Sequence, residues 1–201
     1  MRSATKDLSA WLFEDVAWYG PPSWNQVVRA TLMHQTFRTV LTLRLCQAFP
    51  SGALHLVARI LHHFAQNQAG VELPWETRIG PGFKLTHGRG VVVHPLAVIG
   101  RRVELMHGVT LGSMRYADSP VIGEYVRIGP NAIVLGNVTI GAGARIGGGC
   151  VITKDVEPNT LVVGAETRRV LPFEPAGPPE GQWDPATWWE VSSAHHAQSK
   201  S

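Results

Sequence analysis

The chain has 201 residues, 44% of them hydrophobic, which is enough for one domain with a folded core. Its 18 Lys and Arg residues against 15 Asp and Glu give a net charge of only +3 without a dense basic stripe, so we expect no binding to nucleic acid. Cys46 and Cys150 match no metal or redox spacing and indicate buried thiols in a reducing compartment. The acid-bearing N-terminus lacks the apolar core of a signal peptide, and we therefore expect a cytoplasmic protein.

Residues 1–69 are predicted to form an N-terminal helical region. Apolar residues recur at helical spacing in WNQVVRATLMHQTFRTVLTLRLCQAF and again in ALHLVARILHHFAQ, and the segments YGPPS and FPSG separate the helices. The most apolar stretch, TVLTLRLCQAF, is too short to span a bilayer and contains Arg44. The pattern favours a buried helix, with peripheral association with a membrane surface as the alternative.

Residues 70–170 follow a different period. One large aliphatic residue recurs at six-residue intervals and is often followed by Gly, which suits a short strand, a turn and the next short strand. The thirteen positions are Leu73, Ile79, Leu85, Val93, Ile99, Leu105, Leu111, Ile122, Ile128, Val134, Ile140, Ile146 and Ile152. Neither a helix nor a hairpin sheet keeps this phase, so the region predicts a β-solenoid.

Residues 171–201 form a third region. They are rich in Pro and Gly and then in Trp, as in PFEPAGPPEGQWDPATWWEV. This composition predicts an extended tail. We expect its tryptophans to dock on the helical region of the same or a neighbouring subunit.

The period, together with THGRGVVV, AVIGRRVELMHGVTLGS and VIGEYVRIGPNAIVLGNVTIGAGARIGGGCVITKDVEPNTLVVG, resembles the serine acetyltransferase type of hexapeptide-repeat acyltransferase. That type includes exopolysaccharide-associated members, which acetylate sugar hydroxyls. The resemblance implies an α+β chain in which helices precede a left-handed parallel β-helix with three hexapeptides in each coil. It also implies acetyl-CoA as the donor, L-serine or a sugar hydroxyl as the acceptor, no metal, and a homotrimer or dimer of trimers with active sites between neighbouring β-helices.

The resemblance assigns the catalytic base to His87 and an assisting carboxylate to Glu72, where the family has aspartate. An imidazole with a pKa of about 6.5 can take a hydroxyl proton at neutral pH and return it to the departing thiolate. Glu72 would fix the tautomer of the ring, and a merely solvated glutamate is the alternative. Two positions that help to hold serine in the family differ here, because Thr86 replaces an aspartate and Ser119 a histidine. These differences make L-serine a weaker candidate for the acceptor, while acyl transfer itself is unaffected.

The assumed coil places the other histidines. With three hexapeptides in each coil, His87 and His107 stack at one corner, about 4.8 Å apart at the backbone. His107 is therefore a candidate acceptor contact, or else a paired surface histidine. His94 stacks beneath Gly112 at another corner and is expected to be a turn residue.

The period is interrupted by two inserted residues after His87 and by five in the loop SMRYADSP. Insertions on a rigid scaffold favour binding sites, although a tolerated surface loop fits the second insertion equally well. The candidate acceptor contacts in this loop are Arg115, Tyr116 and Asp118.

Positions that match those of the resembled family also suggest contacts to the coenzyme. Small residues would let the pantetheine arm pass close to the coil backbone, and two cations would meet the nucleotide phosphates. The small residues are Gly112, Ala132 and Ala144, and the cations are Lys154 and Arg168. Ordinary surface charge is the alternative for both cations.

Two other functions remain open. A zinc enzyme like the β-helical carbonic anhydrases would need three histidines between subunits. His87, His94 and His107 supply that number, but not at that family's spacing. The other possibility is a non-catalytic scaffold that binds an enzyme of cysteine synthesis.

Overall fold

The computed structural model describes residues 2–115, 118–164 and 169–172, with side chains for 8–115 and 118–164. The helices within these residues are α1 (Arg2–Val16), α2 (Trp24–Met33), α3 (Gln35–Ala48) and α4 (Gly52–Ala69). Ser23 caps the start of α2, because its hydroxyl accepts a hydrogen bond from the Gln26 amide at 3.2 Å. α4 ends at Gly70, whose left-handed backbone (φ 66°) closes the helix.

Short strands follow and stack into the three sides of a solenoid. The first sheet contains β1 (Arg78–Ile79), β4 (Val98–Ile99), β7 (Val121–Ile122) and β10 (Thr139–Ile140). The second contains β2 (Lys84–Thr86), β5 (Glu104–Met106), β8 (Arg127–Ile128), β11 (Arg145–Ile146) and β13 (Thr160–Val163), with β14 (Arg169–Pro172) added antiparallel. The third contains β3 (Val92–Val93), β6 (Thr110–Gly112), β9 (Ile133–Leu135) and β12 (Val151–Ile152). One strand of each sheet makes one coil, which confirms the predicted solenoid.

The repeated aliphatic residues form the solenoid core. Leu85, Leu105 and Ile128 are in register on successive coils and are at most 2% exposed. Burying one such side chain stabilises the fold by about 1.5–3 kcal/mol. The glycine after an aliphatic residue permits close stacking, since a Cβ at Gly100 would lie 2.8 Å from the backbone nitrogen of Glu124. The six-residue period is therefore a packing requirement.

Asp15 in α1 and Arg44 in α3 join the helices to the first coil. Their side chains are fully buried and form an ion pair at 2.8 Å. Arg44 also donates to the carbonyl oxygens of Ile79 and Gly80 at 2.7 and 2.6 Å, and Asp15 accepts from the Phe83 amide at 2.9 Å. Burial of these charges is tolerated because each has several hydrogen-bond partners. The helices also extend the solenoid core with Val40, Leu43 and Ala69.

Two further expectations concern the membrane and the cysteines. None of the helices in the described ranges is long and apolar enough to cross a bilayer. Cys46 and Cys150 are both buried and form no disulfide, and burial raises the pKa of the Cys46 thiol to about 11. Such a thiol is a poor nucleophile at neutral pH, which agrees with a packing role.

Candidate active site

The chain between β2 and β3 forms a corner that carries His87. His87 follows the last residue of β2 with a left-handed backbone (φ 53°) and an exposed side chain. The Arg89 amide then donates to the His87 carbonyl oxygen, which makes a tight turn. A Cβ at Gly88 would lie 3.3 Å from Cγ2 of Thr36, so the start of α3 lies against this corner. The inserted residues thus present an imidazole on the surface, beside the helical region.

His107 lies at the same corner on the next coil. The last residues of β2 and β5 pair with each other, so His87 and His107 directly follow the same pair. The backbones pair again where the Gly108 amide donates to the Arg89 carbonyl oxygen at 3.0 Å. Both histidine side chains are exposed along one edge of the solenoid.

His94 lies at a different corner, directly after β3. Its amide donates to the Leu111 carbonyl oxygen at 2.8 Å, and its Nδ1 accepts from the Leu96 amide at 3.3 Å. These are the contacts of a turn residue. The three histidines thus occupy two corners, and in residues 2–115, 118–164 and 169–172 no three His, Cys, Asp or Glu side chains are grouped as a metal site requires.

Glu72 lies on the same side of the solenoid as the third sheet, one coil before β3, and pairs with Val92 of that strand. Its amide donates to Val91 at 2.8 Å, and its carbonyl oxygen accepts from Val93 at 2.9 Å. His87 lies at the corner between the second and third sheets. Both side chains are exposed, and within the described part of the chain no hydrogen bond or ion pair joins them. The predicted assistance of His87 by Glu72 therefore stays a prediction.

Glu104 is a buried carboxylate beside the His87 corner that the repeat pattern did not single out. Its side chain accepts a hydrogen bond from the Thr86 hydroxyl at 2.5 Å and is 4% exposed. Lys84 Nζ lies 3.5 Å and Arg127 Nη1 3.4 Å from its carboxylate oxygens. Burial lowers the pKa of Arg127 to about 10, so the guanidinium is still charged at neutral pH. The repeat could have indicated this cluster, because Lys84, Glu104 and Arg127 each directly precede an aliphatic core residue and are in register on successive coils.

Trp18 and Tyr19, between α1 and α2, cover this charge cluster from the helical side. The Trp18 indole nitrogen donates to the Gly82 carbonyl oxygen at 2.8 Å, and its ring lies 4.8 Å from Lys84 Nζ. Tyr19 is hydrogen-bonded to Thr36, and its pKa is raised chiefly by burial. No repeat pattern relates these residues to the solenoid, so their position could not be predicted from the sequence.

The loop between β6 and β7 holds the predicted acceptor contacts. Arg115 is exposed, and its carbonyl oxygen accepts from the Asp118 amide at 2.9 Å. Tyr116 lies outside the described residues. The Ser119 hydroxyl is buried and has no hydrogen-bond partner among the residues that the structure describes.

The predicted coenzyme contacts fall into two groups. Ala132 and Ala144 are fully buried in the solenoid core, and their backbone groups hydrogen-bond within the solenoid, so neither residue is exposed to a ligand in this chain. A Cβ at Gly112 would lie 2.8 Å from Cδ2 of Leu135, so this glycine is already required for packing. Lys154 is exposed near the end of the solenoid, and Arg168 lies outside the described residues.

Comparison with known proteins identifies the family. Residues 119–154 match the family model described as bacterial transferase hexapeptide (six repeats). The chain is 33% identical over 153 residues to a serine acetyltransferase of Bacillus pumilus, which covers 75% of this chain and 70% of that protein. It is 32% identical over 142 residues to a serine acetyltransferase of Helicobacter pylori, which covers 69% of this chain and 83% of that protein. The chain belongs to the serine acetyltransferase family.

Solved structures of serine acetyltransferases share the fold. The enzyme of Neisseria gonorrhoeae has a TM-score of 0.69 and 29% identity, with 83% of this chain and 66% of that chain covered. Soybean serine acetyltransferase in complex with serine has a TM-score of 0.69 and 32% identity, with 82% and 69% covered. These findings confirm the predicted family of acyltransferases and the predicted left-handed β-helix. The match to serine acetyltransferase 2 of Arabidopsis thaliana, at 38% identity, spans only 38% of that protein.

Proposed function

We propose that this chain transfers the acetyl group of acetyl-CoA to a hydroxyl group of L-serine or of a sugar, with His87 as the general base. The observation that supports this function most is the exposed imidazole at the inserted corner, where the next residue, Gly88, lies against the start of α3. The family relationship supports acyl transfer, and the soybean relative solved with serine makes that amino acid the first acceptor to test.

The proposed reaction needs one proton acceptor and no covalent enzyme intermediate. Acetyl-CoA supplies a thioester and a thiolate leaving group. His87 takes the proton of the acceptor hydroxyl as the hydroxyl oxygen bonds to the thioester carbonyl carbon. The carbon–sulfur bond then breaks, and the imidazolium returns its proton to the thiolate, so the products are an acetyl ester and CoA. Backbone amides of the turn stabilise the oxyanion in this proposal.

Glu72 would orient the His87 ring and stabilise the imidazolium. In the isolated chain both side chains face solvent, where a carboxylate and an imidazolium interact weakly. A homotrimer, or a dimer of trimers, would close this edge with a neighbouring β-helix and exclude water. The proposed active site therefore lies between subunits.

On the acceptor side, His107 lies at the corner of His87, whereas the loop after β6 leaves the solenoid at the corner of His94, so in this proposal a neighbouring subunit brings that loop to the base. His107 and the loop residues Arg115, Tyr116 and Asp118 face the acceptor in this proposal. Thr86, which Glu104 holds by a hydrogen bond, offers a hydroxyl where the family has a carboxylate. A hydroxyl interacts less strongly than a carboxylate with the ammonium group of an amino acid. This difference favours a sugar hydroxyl over L-serine.

The coenzyme would lie along the later coils. The pantetheine arm would pass over the half-buried Gly112 and over the surface of the coils that contain Ala132 and Ala144, where small buried side chains let the arm approach the coil closely. Lys154 and Arg168 would meet the nucleotide phosphates.

A release assay tests the function. Purified protein is incubated with acetyl-CoA and L-serine, homoserine, or nucleotide- or lipid-linked sugars, and free CoA thiol is measured. We expect release above the acceptor-free rate with at least one hydroxyl acceptor, and none with L-alanine, which lacks the hydroxyl. Release that is equal with L-alanine, or absent with every acceptor, would contradict the proposal.

A further inference from the structure

Helix α4 has its large apolar side chains on the outside. The residues that face the protein are mainly small, with Ala58, Ala65 and Ala69 buried around His62. Because an α-helix turns by about 100° per residue, the large residues fall on other sides of the helix. The exposed set, which is 47–66% exposed, is Leu54, Leu56, Val57, Ile60, Leu61 and Phe64. This is the reverse of the usual surface helix of a soluble protein, which turns its apolar side inward.

Helix α2 extends the same kind of surface. Trp24, Val28 and Leu32, each four residues apart, are 56–70% exposed along one side of the helix. A crevice of about 590 Å³ separates the two helices, lined by Thr31 of α2, by Leu41 and neighbouring residues of α3, and by Phe64 of α4. We call the exposed apolar residues of α2 and α4, with this crevice, the helical apolar surface. Exposed patches of this kind mark interaction sites rather than ordinary protein surface.

The charge of this region favours an anionic partner. No Asp or Glu occurs from residue 16 to residue 71, whereas Arg29, Arg38 and Arg59 do, besides Arg44, which is buried against Asp15. Arg29 and Arg59 are exposed on α2 and α4 themselves. Apolar side chains flanked by arginines, with aromatic residues such as Trp24 and Phe64, are the combination that binds the interface of an anionic bilayer. Two copies of the same surface would instead bring arginines together with no acid from either surface to pair with them.

We propose that the helical apolar surface binds an anionic lipid bilayer from one side. The apolar residues enter the boundary between headgroups and acyl chains, and the arginines meet the lipid phosphates. No helix of the described residues is long enough in apolar sequence to span the bilayer, so the surface lies on it. Since α3 shares its core with the solenoid, the solenoid is held at the membrane together with the helices. This inference goes beyond the acetyl transfer proposed above and does not depend on it.

Vesicle flotation with the full chain tests this proposal. Vesicles of phosphatidylcholine alone are compared with vesicles that also contain phosphatidylglycerol, at low and high salt. We expect at least tenfold more protein on the anionic vesicles, and less of it at high salt. The double variant Ile60→Ser/Phe64→Ser should lose at least tenfold in binding. Val151→Ser, which removes an exposed apolar side chain from the solenoid, should bind like the unmodified protein.

Because the substituted side chains are exposed, circular dichroism should show both variants folded. Arg29→Gln/Arg59→Gln should lower binding to anionic vesicles without removing an apolar residue. Equal binding by the Ile60→Ser/Phe64→Ser variant, or no preference for anionic vesicles, would overturn the proposal. Light scattering measures the mass of the oligomer and distinguishes a membrane surface from an interface between copies of the chain. Failure to float, together with an oligomer that the double variant halves in mass, would assign the surface to a second copy of the chain instead.

Discussion

Thr86 donates a hydrogen bond of 2.5 Å to Glu104 directly before the corner that carries His87. The carboxylate belongs to the next coil and is buried between Lys84 and Arg127. The side chain next to the proposed base is thus fixed by a buried charge cluster. The resemblance to serine acetyltransferases predicts that the family has an aspartate at the position of Thr86. This hydrogen bond therefore bears on the choice of acceptor.

Thr86→Val should remove the hydrogen bond while keeping the shape of the side chain. The loss leaves a buried carboxylate with one partner fewer, so we expect the free energy of unfolding to fall by about 1–3 kcal/mol. The KM for the acceptor should rise, whereas the KM for acetyl-CoA should not change. Urea unfolding and steady-state kinetics measure these effects. Thr86→Ser, which keeps the hydroxyl, is the control, and identical behaviour of the two variants would show that the hydrogen bond does not matter.

Arg44→Met should destabilise the junction between the helices and the solenoid. It leaves Asp15 as a buried charge without its guanidinium partner, which costs about 3–5 kcal/mol. Denaturant unfolding measures the change. Arg101→Gln is the matched control, since Arg101 pairs with Glu14 at the same 2.8 Å but on the surface, and it should cost less than about 1 kcal/mol. Equal losses in the two variants would contradict the structural role of the buried pair.

The stability of the helical region should fall in acid because of His62. Its Nε2 hydrogen-bonds to the Leu73 carbonyl oxygen at 2.7 Å, and its Nδ1 lies 3.0 Å from the Thr42 hydroxyl. Burial lowers the pKa of His62 from 6.5 in the folded protein. The unfolded chain therefore binds a proton first, so stability is full above pH 6.5 and is lost as the pH falls from there towards the folded pKa.

Unfolding midpoints between pH 5 and pH 8 measure this dependence. His62→Gln should flatten it, because the glutamine does not titrate. His63→Gln changes the exposed neighbour on the same helix and should leave the dependence in place. A pH dependence that is the same in all three proteins would exclude His62 as its source.

The repeat and the contacts between distant residues differ in how far the sequence predicts them. The positions of Leu85, Leu105 and Ile128 follow from the period alone, because one aliphatic residue per hexapeptide must enter a shared core. The exposed corner at His87 was also predictable, since an insertion must leave the coil. Trp18 and Gly82, by contrast, are 64 residues apart and join a helix to a coil, and no periodic pattern relates such a pair.

The most direct test of the account replaces the proposed base. His87→Asn keeps a polar side chain at the same exposed corner but cannot act as a base near neutral pH. CoA-thiol release is measured with the acceptor that the unmodified protein uses, and His94→Asn serves as the control at the other corner. We expect the His87→Asn rate to fall at least about 100-fold, with His94→Asn within about twofold of the unmodified protein. Undiminished release by a folded His87→Asn protein would contradict the central claim.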